Sequence, residues 1–284
     1  MIKRTKPELI NKICLRDYIS QLKIKSNSIL NQSAFTPEIA NLCYAKIKKF
    51  NESGVEFLDN CDPCSFGSDI DLTNVLLQDL INLYKTKRGK ILESIPEENL
   101  CLFCGIESPK ELDHYLPKKK YPTFSVEHNN LIRICNECNK KKAESFKDGD
   151  GCRLFFNSYY DSQPQNSYLI CSIDFSFKPA PKIVFNLSTD SLSIPVCQII
   201  RSHYQKLELI KRMNSSGSGI LSDLLQAYEN PPDEKWVKDK IHSYYKKFYY
   251  DYGMNHFQTV LYKVLIESFD DFYFFLKKQR LTSI

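Results

Sequence analysis

No stretch of this 284-residue chain approaches the roughly 18 uninterrupted apolar residues that a membrane-spanning helix needs. The nearest approach is FQTVLYKVLIESFDDFYFFLKK, and Lys263, Glu267, Asp270 and Asp271 break it, so no membrane partner is expected. The opening MIKRTKPELINKI is charged and lacks an apolar run of about 7–15 residues, so no secretory leader is expected either. Internal repeats and low-complexity tails are also missing, which excludes solenoid and linker-dominated architectures. Without an export signal, eleven cysteines read as reduced thiols and metal ligands rather than disulfides, and the expected compartment is the cytoplasm.

What is present is ordinary in bulk and uneven in placement. A 42% hydrophobic, 26% charged chain of this length can build two or three compact units, each with its own core. The net charge is only +5, but residues 85–147 hold thirteen Lys/Arg against nine Asp/Glu, so under a quarter of the chain carries +4 of it. A focused positive patch is the footprint of a polyanion partner. A solvated lysine-rich face would have the same composition, so charge alone does not decide.

Residues 1–84 read as a helical arm. Thr36-Pro37-Glu38 has the cap, first-turn proline and acid of a helix start, and Ile39, Leu42, Cys43, Ile47 and Phe50 keep a helical period. Leu72, Val75, Leu76, Leu80 and Leu83 make a second such run, broken once by Asp79, and the loop between holds Cys61 and Cys64, read as loop cysteines. From 151 to 284 the chain reads as a short sheet, spanning about 153–188, followed by helices. SYLICSIDFSF (167–177) alternates like a strand and KIVFNL (182–187) follows a turn. Helical periodicity then runs from Ser193, with NSSGSG (214–219) and NPPDE (230–234) expected as loops. The late aromatic spacing, Phe257 to Phe272, reads as packed core.

The central segment, 85–150, carries the chemistry. Cys101-Leu-Phe-Cys104 and Cys135-Asn-Glu-Cys138 are two turns that can each aim two thiolates at one ion, together a closed tetrahedral Zn²⁺ site. Gly105 suits the first knuckle. The gap between the pairs exceeds the usual ribbon spacing, which implies an insertion, and ELDHYLPKKKYP (111–122) lies inside it. The segment reads strand, strand, helix, the helix beginning at NECNKKK and ending near Gly149.

Asp113-His114, then Asn130 before Leu131, then Asn139 one residue past the last cysteine, resemble the HNH nuclease motif in its His-Asn-Asn form. The flanking cysteine pairs resemble the zinc-stapled variety of that ββα-metal fold. KRTKP, LYKTKRGKILESI and FFNSYYD (155–161) are similar to bacterial stand-alone HNH proteins, which have an arm on each side of the nuclease core. Several such relatives act in anti-phage defence beside an ATPase, as in Septu, so the resemblance implies an ATPase partner subunit.

The residue types suit phosphodiester hydrolysis. An attacking water must lose a proton, and His114 is expected as the general base. Asp113 and Asn139 offer hard oxygen ligands for a catalytic Mg²⁺ or Mn²⁺ ion. The family often has histidine at the third position, so Asn139 leaves the metal preference open. Asn130 is expected to brace the loop and orient His114. Lys118, Lys119, Lys120, Lys140, Lys141 and Lys142 are expected to contact phosphates, although not all three helical lysines can face one groove. His128 reads as a surface residue; His203, His242 and His256 read as structural. Adjacent residues on a flat strand face opposite ways. Either a bulge turns Asp113 and His114 together, or they act from two sides of the strand end.

The expectation is therefore an α+β protein and a metal-dependent HNH endonuclease cutting double-stranded DNA. The rivals are an RNA-cleaving, toxin-like nuclease, a non-catalytic zinc module that binds nucleic acid, and an iron–sulfur or redox protein using the four paired cysteines.

Overall fold

The computed structural model describes residues 37–62, 78, 82, 84–85, 91–93, 95–177, 180–228 and 233–281. Thr36, Cys64, Leu72, Val75, Leu76, Leu80, Leu83 and most of NPPDE fall outside them. The fold is α+β, mixing helices with two separate antiparallel hairpins. It divides into two compact units. One comprises the described residues up to 102 together with 108–161, and the other comprises 103–107 with the residues from 162 onward.

In the first unit, α1 (Pro37–Ser53) turns at Gly54 into α2 (Val55–Asn60). Helix α1 buries Cys43 and Phe50, whereas Leu42, expected on the same face, is half exposed. Phe50 packs at 5.2 Å from Phe124 and 5.1 Å from Tyr160, which anchors α1 against the long connection of the next hairpin. That hairpin pairs β1 (Glu111–His114) with β2 (Leu131–Ile134), and α3 (Asn136–Lys142) follows. Strand, strand, helix is the order seen.

Helix α3 is shorter than the expected run to Gly149. Lys140–Lys142 and the following Ala143 and Glu144 are good helix formers, but tertiary structure overrides that preference. Ala143 leaves the helix at φ 48° while its N–H still bonds Asn139 O. Beyond it Phe146 buries against Tyr115 and Tyr121, and Lys147 pairs with Arg153 in a β-bridge.

In the second unit, β3 (Leu169–Asp174) and β4 (Lys182–Leu187) form the expected antiparallel hairpin. Helices α4 (Ile194–Lys206), α5 (Leu209–Ala227), α6 (Glu234–Tyr252), α7 (Phe257–Glu267) and α8 (Phe269–Leu281) follow. Helix α5 packs on β4 and α7 on β3, which buries Ile183, Phe185, Leu261 and Leu265.

NSSGSG is not a loop. It lies inside α5, and its small residues serve close approach to the sheet. A Cβ on Gly217 would sit 3.0 Å from a Phe185 ring carbon, and Asn214 Oδ1 accepts the Phe185 N–H at 2.7 Å. Gly217→Val should therefore overpack this contact and cost about 1–3 kcal/mol, read by urea unfolding. No loss of stability would mean that α5 can lift off β4 freely.

His203 and His256 are fully buried, as structural histidines, and their Nε2 atoms bond Phe103 O and Gly105 O at 2.8 and 2.9 Å. Burial lowers both pKa values to about 3 from the usual 6.5. The native state thus stays neutral where the unfolded chain takes up protons. Stability is then full above pH 6.5 and falls as pH drops from 6.5 toward 3, at about 1.4 kcal/mol per pH unit for each histidine. His203→Gln should flatten that acid slope in denaturant titrations at a series of pH values; an unchanged slope would refute the assignment.

Candidate active site

The hairpin and α3 converge on a cleft of about 270 Å³. Asp113, His114, Asn139, Lys118 and Lys119 all line it, with Tyr84, Glu111 and Glu144. Three of the four motif residues thus share one cavity.

The β1–β2 ladder pairs Asp113 with Ile132 and His114 with Leu131 one to one, so the bulge considered for this strand end is not there. The two side chains instead leave the strand end on different sides. Asp113 turns toward α3, and His114 turns toward the 115–130 connection. His114 is buried, its Nε2 lies 2.9 Å from Ser125 O, and its ring meets Tyr84 edge-on at 4.6 Å. A carbonyl can only accept, so the neutral ring carries its proton on Nε2 and its lone pair on Nδ1.

Asn130 is fully buried and stands outside the cleft wall. Its Oδ1 accepts Leu116 N–H at 2.7 Å, its Nδ2 donates to Leu116 O and Phe124 O, and its carbonyl accepts Tyr115 N–H. All four bonds tie down the chain that leaves His114.

The six lysines divide sharply. Lys118 and Lys119 line the cleft, Lys118 lying 5.5 Å over the Tyr84 ring and Lys119 ion-paired with Glu144 at the rim. Lys120 and Lys140 are exposed, while Lys141 pairs with Glu137 at 3.3 Å. Lys142 corrects the expectation: it is wholly buried, 2.8 Å from Asp113 Oδ2, and cannot reach a phosphate. Burial raises the Asp113 pKa above the ordinary carboxylate value, and the Lys142 ammonium opposes that rise. Two further cations of the basic segment are turned inward. Arg133 bonds Pro96 O, Leu92 O and Ile95 O, and Lys147 bonds Asp59 O and Cys61 O. His128 is also corrected, from surface to buried, and burial lowers its pKa. Cys61 is buried with its thiol against Leu58 O.

Cys101, Cys104, Cys135 and Cys138 are all buried, and their sulfurs lie within 4.8 Å of one another. Sulfurs about 2.3 Å from a common tetrahedral centre would stand about 3.8 Å apart, so a small closure seats a zinc ion. Ile106 N–H and Cys138 N–H point at the Cys104 and Cys135 sulfurs at 3.4 Å, as suits thiolates. Arg212 Nη2 lies 3.5 Å from Cys104 Sγ and 2.7 Å from Glu107 Oε1. Gly105 takes φ 64° in the first knuckle, where a side chain would be strained. Four thiols with no water-facing position fit a closed structural ion.

Sequence reasoning missed Tyr84, Glu111 and Glu144 as cleft residues. Only Glu111 carried a signal, since it lies two residues before Asp113 on the same strand face.

No family model matches the chain, and no solved structure matches it. It is 50% identical over 40 residues to protein ea31 of Escherichia phage lambda, 14% of each chain. It is 31% identical over 128 residues to an adenosylcobinamide-phosphate guanylyltransferase of Methanocaldococcus jannaschii, 42% of this chain and 63% of that one. The chain therefore spans less than two thirds of either relative. No helix among the described residues is long and apolar enough to cross a membrane.

Proposed function

We propose that this chain is a metal-dependent endonuclease of the HNH type that hydrolyses phosphodiester bonds in double-stranded DNA. The observation that carries the reading is the single cleft lined by Asp113, His114 and Asn139, with Lys118 and Lys119 at its mouth. In that arrangement His114 Nδ1 accepts the proton of an attacking water, while Ser125 O holds the ring in the tautomer that leaves Nδ1 basic. Asp113 and Asn139 would hold Mg²⁺ or Mn²⁺, which supplies positive charge for the phosphate and the leaving oxygen. Asn130 braces the connection behind His114, and the four cysteines would hold a structural zinc ion. The lysines at the cleft mouth attract the backbone, Lys119 exchanging Glu144 for a phosphate.

The cellular role proposed is anti-phage defence in the cytoplasm with an ATPase partner subunit, supported by the resemblance of the motif and its flanks; co-purification from the native host tests it. The activity is tested by incubating the zinc-loaded chain with supercoiled plasmid and with total RNA, side by side, in Mg²⁺ or Mn²⁺. Nicked or linear plasmid supports the DNA reading. RNA fragments alone would move it to a toxin-like ribonuclease, and binding without cleavage to a zinc nucleic-acid module. The alignment with the archaeal relative favours guanylyl transfer as a second reading, and label transfer from a guanine nucleotide checks it.

A further inference from the structure

Lys142 is a lysine with no exposure at all, beside two of the motif residues. Its ammonium lies 2.8 Å from Asp113 Oδ2 and donates to His114 O at 2.8 Å. Asn139 and Lys142 are three residues apart on α3, so they share the face that meets β1. The helix stops at the next residue, Ala143, whose φ of 48° disfavours a side chain and whose position is also in the cleft wall. The end of α3 thus places one fixed cation against Asp113, the cleft carboxylate next to His114 on β1.

We propose that Lys142 is a built-in counter-ion that competes with a divalent metal ion for Asp113. This inference rests on the nuclease reading for Asp113 as a metal ligand. Two cations cannot both sit at close range on one carboxylate without strong repulsion in a buried setting. A metal ion arriving at Asp113 must therefore displace the Lys142 ammonium from it. Lys142 has a second anchor, the His114 carbonyl, so it can release the carboxylate without leaving the strand end. In the metal-free state the same lysine balances the charge of Asp113 and keeps it aimed. Lys142 is in this sense a positioning residue, and it sets how much free metal the site requires.

The test is calorimetric titration of Mn²⁺ into the zinc-loaded, full-length chain without nucleic acid. Lys142→Met should lower the Mn²⁺ dissociation constant by about tenfold relative to wild type, because the competitor is gone. Lys142→Arg, which keeps the charge, should stay within about twofold of wild type, and Asp113→Asn should abolish the binding. Lys142→Gln keeps a donor for His114 O and should show the same tightening, so it decides the question if the methionine variant does not fold. Equal or weaker Mn²⁺ binding in the folded neutral variant overturns the proposal, as does unchanged binding in Asp113→Asn. A chain that binds Mn²⁺ as expected yet leaves plasmid and RNA intact keeps this inference and loses the nuclease reading.

Discussion

His114→Ala is expected to lower plasmid cleavage by about 10²–10⁴-fold, the range for removing a positioned general base. Zinc content should not change. The contacts of the ring include a hydrogen bond to Ser125 O and an edge contact with Tyr84. Losing that bond should cost about 1–3 kcal/mol of stability, at or below the roughly 2.7–5.5 kcal/mol that a 10²–10⁴-fold loss in rate represents. His114→Gln separates the two roles, because the glutamine amide can still donate toward Ser125 O but cannot take a proton. Equal loss in both variants, with both still folded and zinc-loaded, assigns the base to this ring. Wild-type cleavage in either variant would sink the enzyme reading for His114. Loss of cleavage together with loss of fold in alanine but not glutamine would reduce His114 to a brace.

The contrast between what could be read in the chain and what could not follows the range of the interactions. The CxxC pairs and the alternation in β3 and β4 are local patterns, and both were legible because spacing alone fixes where neighbouring side chains point. The end of α3 was not, since Phe146 and Lys147 are drawn away by partners distant in sequence, Tyr115 and Asp59 among them. NSSGSG reads as a loop by composition, yet Phe185 requires a helix face without bulk there. Lys142 was misread for a related reason. In a run of three lysines nothing local marks which one turns inward, and only Asp113, 29 positions earlier in the chain, singles it out. Asn130 was expected as a brace and is buried with four bonds to the chain after His114; the inward turn of Lys142 was not expected.

The largest structural effect is expected from Cys138→Ser. Apparent zinc binding by four thiolates amounts to about 10–16 kcal/mol, comparable to or above the whole stability of a domain at about 5–15 kcal/mol. Cys138 lies in the first turn of α3, its N–H directed at Cys135 Sγ, and the same short helix carries Asn139 and Lys142. A helix of seven residues has little stability of its own. Without the ion it should fray, and the cleft should lose Asn139 and the Asp113–Lys142 pair together. The expected result is zinc falling from one per chain to well below one, new protease cleavage between residues 101 and 142, and loss of nuclease activity. This differs from His114→Ala, where zinc and protease resistance should persist. Cys152→Ser, at an exposed cysteine outside the cluster, serves as the control and should change none of these. If Cys138→Ser keeps its zinc, its protease resistance and its activity, the four-cysteine site does not hold this helix in place. If the purified wild-type chain is coloured and carries iron instead, the cluster belongs to redox chemistry.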